Sequence, residues 1–149
     1  ETAPLLHHIT HADQLTLASY CDVAMRSWSQ GRCLFIGDAA HGTSPQLGQG
    51  ANLALVDAWT LSHEIARNGD VDDALATYAR RRRAHVGYYQ LASRWLTPFF
   101  QSHNRVLPWA RDTFMGTFCR LPLTGDIMVT TLSGVRCLPF GLWRPPTEE

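Results

Sequence analysis

The chain of 149 residues has no lysine; all thirteen of its basic residues are arginine. A lysine Schiff base and a Walker-type phosphate lysine are therefore excluded. It has no G-x-G-x-x-G, the turn that receives a dinucleotide's pyrophosphate. Cys21, Cys33, Cys119 and Cys137 are widely spaced with no C-x-x-C, which argues against a metal or redox motif, and four reduced thiols suit the cytoplasm. No secretory leader and no apolar run near the length of a membrane span is present. Thirteen basic residues balance thirteen acidic ones, so bulk electrostatic attraction to nucleic acid is not expected. His8-x-x-His11, preceded by His7, has a possible metal spacing on a helix. No helical pattern supports it and no third ligand is evident, so no metal site is expected.

What is present is globular: 45% hydrophobic and 17% charged residues, enough to build a core at this length. Residues 4–9 read as one helical turn. Residues 15–20 alternate like a strand, with Leu15, Leu17 and Ser19 on one face and Thr16, Ala18 and Tyr20 on the other. Residues 23–25 suggest another short strand, and Ser29-Gln30-Gly31 a turn. Cys33-Leu34-Phe35-Ile36 is apolar on both faces, the pattern of a central strand covered on both sides. A helix is expected from near Gly50 to about Arg67; Leu53, Val56, Trp59, Leu61 and Ile65 make it apolar nearly all round, hence buried. Asn68-Gly69 is a stop. Asp70 is then an N-cap, with Asp72 and Asp73 in the first turn of a helix from Val71 to about Leu96, ahead of Pro98. Beyond it, helices are expected around 99–105 and 108–119, breaks at Pro122 and Gly125, a helix over 127–135, and a frayed tail at 145–149.

Residues 37–52 read Gly-Asp-Ala-Ala-His-Gly-Thr-Ser-Pro-Gln-Leu-Gly-Gln-Gly-Ala-Asn. They join the strand at 33–36 to the helix that opens near Gly50. A strand, a glycine-rich turn with one acid, then a helix N-terminus is a ligand-binding arrangement in α/β proteins. Asp38, at the strand end, can accept hydrogen bonds from a sugar or ribityl hydroxyl; its other reading is a helix N-cap or turn residue. Gly48, Gln49 and Gly50 lead into the helix, and glycines let a backbone approach a flat ligand. The first free N–H groups, near Ala51 and Asn52, would point at that ligand. A helix N-terminus favours negative charge by ~0.3–1 kcal/mol, up to ~2 when partly buried. The other reading is that the glycines only let helix and strand pack.

From Gly31 to Ala58 the sequence resembles, without a gap, the second flavin-contacting motif of the FAD-dependent aromatic hydroxylases, the class A flavoprotein monooxygenases. A looser likeness, including Tyr20-Cys21-Asp22-Val23 and the Arg80 to Arg83 run, covers most of the rest. The resemblance implies an α/β (α+β) fragment: an incomplete FAD-binding Rossmann-like fold with C-terminal helices, helix-rich and with few strands. It implies a remnant of the substrate-binding sheet over 1–30, the C-terminal half of the FAD-binding domain over 31–97, and a C-terminal helical segment and tail over 98–149. Gly37, Asp38, Pro45, Gly48, Gln49, Gly50, Ala51 and Asn52 would contact the cofactor. In the family the matching Asp38 bonds the ribityl chain, the matching Pro45 lies beside the flavin's reactive edge and is the catalytic candidate, and the backbone matching 50–52 contacts the pyrimidine end of the isoalloxazine. Asp57 and Ala58 match as well, with Asp57 expected to hold the fold. In that family NAD(P)H reduces FAD, and O2 then gives one oxygen atom to an organic substrate while the other leaves as water. The cofactor carries that chemistry, so no Ser/His/Asp set is required. The family's first FAD motif is the absent G-x-G-x-x-G. The chain therefore reads as a fragment or one piece of a longer or split protein, inactive alone, whose partners are the missing N-terminal FAD-binding segment, a small organic substrate and O2.

Other features have plainer readings. His41 is expected to be a structural, hydrogen-bonding histidine. Arg80-Arg81-Arg82-Arg83 fan out at about 100° each on a helix, so they share no face; two or three are expected in solvent and one paired with an acid. A role for them in capturing NAD(P)H phosphate has no support in the sequence. Trp95, Phe99, Phe100, Trp109, Phe114 and Phe118 are expected to pack, with exposure in this fragment as a side effect, while a homodimer surface, or a membrane-facing patch with Arg94, Arg105 and Arg111, stays open. Two alternatives compete with the monooxygenase: a non-catalytic remnant or interaction module, and another FAD-dependent oxidoreductase such as a reductase or halogenase. Flavin-dependent halogenases have a lysine near the flavin; this chain has none, but a missing segment can carry it, so the alternative stays open.

Overall fold

The computed structural model describes residues 8–16, 19–31, 33–101, 106–118, 121–137 and 141–145. Its body is a pair of long helices, α2 (Gly50–Arg67) and α3 (Val71–Phe100), folded against each other across the short link 68–70. A two-strand hairpin, β1 (Ser29–Gln30) and β2 (Cys33–Leu34), feeds a one-turn helix α1 (Asp38–His41) and a 3-10 turn (Pro45–Leu47) that lead into α2. Two further helices, α4 (Val106–Phe118) and α5 (Pro122–Leu132), and a second hairpin, β3 (Arg136–Cys137) with β4 (Gly141–Leu142), complete the described chain.

The α2 boundaries agree with the expected ones, but its burial does not. Leu55 is 71% exposed, and Trp59 and Ile65 are also exposed, whereas Leu53, Asp57, Thr60 and Glu64 are buried. Those four recur at the helical period and form the stripe facing α3. Three of the four are polar, and α3 supplies partners for the two acids: Arg81 pairs with Glu64 at 2.9 Å and Arg82 with Asp57 at 2.7 Å. Helix α3 starts as expected. The Asp70 carboxylate accepts from the N–H groups of Asp72 at 2.8 Å and Asp73 at 3.1 Å. It does not stop before Pro98 but runs through it to Phe100. Proline removes one intrahelical bond, and the end is tied elsewhere, since Arg111 Nη1 donates to the Phe99 carbonyl at 3.3 Å. Pro122 likewise begins a helix instead of breaking one, at the first position where its missing N–H costs nothing. Gly125 lies inside that helix, which ends at Leu132 rather than Val135.

The strands differ most from expectation. β2 is not a central strand covered on both sides. It pairs antiparallel with β1 alone (Ser29 opposite Leu34, Gln30 opposite Cys33), and Cys33 and Phe35 are exposed. A strand is buried on both faces only when neighbours flank it, and among the described residues β1 is its one partner. Ser29 and Gln30 are thus strand, with Gly31 turning the hairpin. Residues 23–25 form no strand, because Val23 spends its backbone elsewhere: its N–H donates to the Gly42 carbonyl at 2.8 Å, and its carbonyl accepts from Gln90 at 2.7 Å. Residues 17 and 18 of the expected 15–20 strand, and residues 4–7 of the first helical turn, lie outside the described residues; Leu15 and Tyr20 are exposed and in no strand. The hydrophobic centre is small: Trp28, Ala40, Tyr78 and Val86, with Leu34, Ile36, Leu61 and Ala79 against them.

Of the C-terminal aromatics, Trp95, Phe100, Trp109 and Phe114 are exposed, although Trp109 and Phe114 meet edge to face at 6.1 Å. Phe99 is half-buried, and the Phe118 side chain lies outside the described residues. No described helix is long and apolar enough to cross a membrane.

Replacing the N-cap, Asp70→Ala, should lower stability to urea by about 1 kcal/mol, whereas Leu55→Ala should change it by less than about 0.5 kcal/mol. Equal losses would contradict the burial pattern described for α2.

Candidate functional site

The turn after β2 is held from beneath by one buried carboxylate. Gly37 has φ +59°, a conformation that strains any residue with a side chain. A Cβ there would also meet Ala54 of α2 at 3.1 Å. Its N–H donates to Asp57 Oδ2 at 2.9 Å. The same oxygen accepts from His41 Nε2 at 2.6 Å, while Asp57 Oδ1 accepts from Arg82 Nε at 2.7 Å. Burial by itself would raise the Asp57 pKa. The His41 hydrogen bond, the Arg82 charge and hydrogen bond, and the Gly37 N–H outweigh it and hold the carboxyl below its ordinary value.

Arg82 is fully buried. It also donates through Nη2 to the Leu53 carbonyl at 3.2 Å and through Nη1 to His85 Nδ1. His85 Nε2 then donates to the Gly134 carbonyl at 2.7 Å, which requires the neutral ring protonated on Nε2. Burial, reinforced by the Arg82 charge, pushes His85 down to about 4. His41 is therefore structural, as expected, and Asp57 holds the fold. The arginine run is largely as expected: Arg80, Arg81 and Arg83 are exposed and Arg82 is buried against Asp57, but Arg81 also pairs with an acid, Glu64, and Arg83 donates to the Arg26 carbonyl at 3.1 Å. Sequence reasoning missed Arg82 and His85. The signal available was their i, i+3 spacing opposite a mid-helix aspartate.

Above this network lies a cleft of about 330 Å³ walled by Asp38, Pro45, Gly48, Gln49 and Gly50, with Tyr20 and Tyr89 at its sides. The structure thus gathers five of the eight expected cofactor residues at one surface. Gly37 is buried under them, and Ala51 and Asn52 lie one step along α2, outside the cleft lining. Asp38 is the first residue of α1 and exposed. Its Oδ1 lies 3.4 Å from where a Gly50 Cβ would stand, so the carboxylate sits directly beside the start of α2. Gly48 ends the 3-10 turn at φ +62°, a left-handed cap suited to glycine. No side chain caps the N-terminus of α2. Asn52 donates to Gln49 Oε1 at 2.8 Å, and Gln49 Nε2 donates to the Leu132 carbonyl at 2.9 Å, so neither amide serves as a cap. The leading N–H groups of α2 are thus left for a ligand, at the end of the helix that favours negative charge. An acid to grip hydroxyls, bare amides a few ångströms away and a floor without side chains fit a flat, hydroxyl-bearing, anionic ligand such as a flavin.

This strand, glycine turn and helix are the elements of a flavin-binding fold. The chain belongs to the FAD binding domain family, which matches residues 2–89. It is 38% identical over 118 residues to a probable 2-heptyl-3-hydroxy-4(1H)-quinolone synthase of Rhodococcus erythropolis, covering 78% of this chain and 29% of that protein. It is 34% identical over 90 residues to 3-hydroxybenzoate 6-hydroxylase 1 of Aquipseudomonas alcaligenes, covering 60% and 23%. The fold is similar to that of tetracycline destructase Tet(55), with a TM-score of 0.62 over 94% of this chain and 36% of that one, at 24% identity. The chain spans about a quarter of the length of the curated relatives it matches. The cofactor of the family is FAD, and the helix-rich, strand-poor architecture is the incomplete FAD-binding fold expected.

The buried histidine sets a pH dependence. Unfolded, His85 takes a proton below about 6.5; folded, it does so only near 4. Its depressed pKa therefore costs stability as pH falls from 6.5 towards 4, by up to about 3 kcal/mol, and costs nothing above that window. The melting temperature should drop across it, and His85→Gln should flatten the drop even if it lowers stability at pH 7. An unchanged slope in that variant would contradict the assignment.

Proposed function

We propose that this chain is the cofactor-edge portion of an FAD- and NAD(P)H-dependent monooxygenase that inserts one atom of O2 into an aromatic substrate. The observation that carries the reading is the cleft between the Asp38 carboxylate and the uncapped N-terminus of α2. Residues 1–30 then belong to the substrate-binding region, 31–97 to the C-terminal half of the FAD-binding domain, and 98–149 to a helical C-terminal segment. Asp38 grips the ribityl hydroxyls. Gly48 and Gly50 keep side chains away from the ring plane, the amides of 50–52 face its pyrimidine end, and Pro45 stands at the reactive edge. Gly37 sets the turn, and Gln49 and Asn52 brace it.

When bound, FAD supplies the redox chemistry and the activation of O2. The protein's part is to orient and desolvate the ring and to offer a helix N-terminus where negative charge develops upon reduction. The relatives named above include a hydroxybenzoate hydroxylase and a quinolone synthase, which supports an aromatic substrate. A segment carrying G-x-G-x-x-G, not among these 149 residues, supplies the pyrophosphate turn. A cytoplasmic setting accords with three free cysteines among the described residues.

Joined to a segment carrying that turn, the chain should be yellow and consume NAD(P)H and O2, while alone it should bind FAD weakly. Asp38→Ala should weaken FAD in the joined protein by about 10- to 100-fold, the loss of a hydrogen bond to a charged group. A colourless joined protein would favour the non-catalytic reading, and unchanged affinity in the variant would remove Asp38 from the site.

A further inference from the structure

A second, larger cavity of about 580 Å³ opens between α3, α4 and α5. It is lined by carbon: Ala92, Leu96, Phe99, Ala110, Met115 and Met128 are typical of its wall. Its few polar groups are all engaged with other parts of the protein. Tyr88 and Thr131 share a hydroxyl hydrogen bond at 2.6 Å, and Thr124 donates to the Leu121 carbonyl at 3.1 Å. The Arg111 guanidinium is held by Asp112 at 2.7 Å and lies 5.0 Å over the Phe100 ring. A sugar, nucleotide or charged ligand would find no partner there and would lose its hydration, whereas hydrocarbon loses nothing. The size is that of a small-molecule site. Leu47, on the turn that carries Pro45, lines both this cavity and the Asp38–Gly50 cleft. The two spaces are therefore neighbours that share Leu47 as a wall.

We propose that this cavity receives the hydrocarbon tail of a substrate whose aromatic head reaches past Leu47 towards the Pro45 edge of the cleft. The assignment of the head rests on the flavin reading, but the tail site stands on the cavity alone. A molecule with an alkyl chain on an aromatic ring is the class it fits.

The test is a titration of the full chain, without flavin, with n-alkyl 4-hydroxybenzoates from methyl to octyl, followed by calorimetry. Affinity should rise about fourfold per methylene, saturate at one ligand per chain, and level off once the cavity is full. Ala92→Phe, which fills it, should abolish the chain-length gain; Ala110→Phe, on the facing helix, should do the same and guards against a folding defect in the first variant. Trp95→Ala, at an exposed position outside the cavity, should bind as the parent does. A gain that never levels off, or that survives both filled variants, would mean adsorption to exposed apolar surface and overturn the proposal. So would a dimer in sedimentation that dissociates in Ala92→Phe without alkyl binding, since the cavity would then serve self-association. Because no flavin is present, failure of this test leaves the FAD reading standing, and failure of FAD binding leaves the tail site standing.

Discussion

Asp57 accepts three hydrogen bonds in the interior, from a backbone amide, a histidine and an arginine that belong to three different parts of the chain. Through Gly37 it fixes the left-handed turn after β2, through His41 it holds the short helix on which Asp38 sits, and through Arg82 it locks α2 to α3. Arg82 passes the constraint on to His85, and His85 to the carbonyl of Gly134 after α5. A buried ion pair of this kind contributes little net stability against an apolar substitute, yet losing one partner costs about 3–5 kcal/mol because the other charge stays buried. Its value here is positional. The small hydrophobic centre around Trp28 and Tyr78 would tolerate sliding between the helices, whereas the buried, directional Arg82–Asp57 bond does not.

The cleft is a consequence of that geometry. With Gly37 and His41 both tied to Asp57, the Asp38 side chain is presented on the opposite side of the turn, towards Gly50. The loop between them is tied down independently: Ser93 donates to the Ser44 carbonyl at 2.9 Å, and Asp22 accepts from the Ser44 N–H at 3.3 Å and pairs with Arg94 at 3.2 Å. The distance between acid and amides is thus set by groups that touch neither. Tyr89, which walls the cleft, donates to the Thr131 carbonyl at 3.0 Å and so couples the cleft to the helices that enclose the apolar cavity.

Local signals were legible in the sequence where they are self-contained. The span of α2, the Asp70 cap and the glycine turn after β2 each depend on residues a few positions apart, and the structure places them where those residues indicate. Burial was not legible. Leu55, Trp59 and Ile65 look like core by hydropathy, and Asp57 and Glu64 look like surface, because a polar residue is buried only when a partner 17 to 25 positions away reaches it. Arg82 was hidden for the same reason among four identical neighbours, of which Arg81 and Arg82 reach acids of α2 and only Arg82 is buried. Strand character at 33–36 holds only for Cys33–Leu34, and the environment of a strand depends on what pairs with it. Pro98 and Pro122 misled as breaks, since a proline's effect depends on whether the lost bond was needed. Among the expected contacts, the acid and the glycines meet at one cleft, and Ala51 and Asn52 stand just past it on the helix whose bare amides they begin.

The central claim, that a flavin docks against the free amides at the start of α2, is tested most directly by titrating the 15N-labelled chain with riboflavin, which carries the ring and ribityl tail without the pyrophosphate, and following backbone amide shifts. The amides of Gly48, Gly50, Ala51 and Asn52 should move together and in proportion to one another. Shifts confined to the α3, α4 and α5 cavity, or none at the start of α2 at saturating ligand, would contradict it.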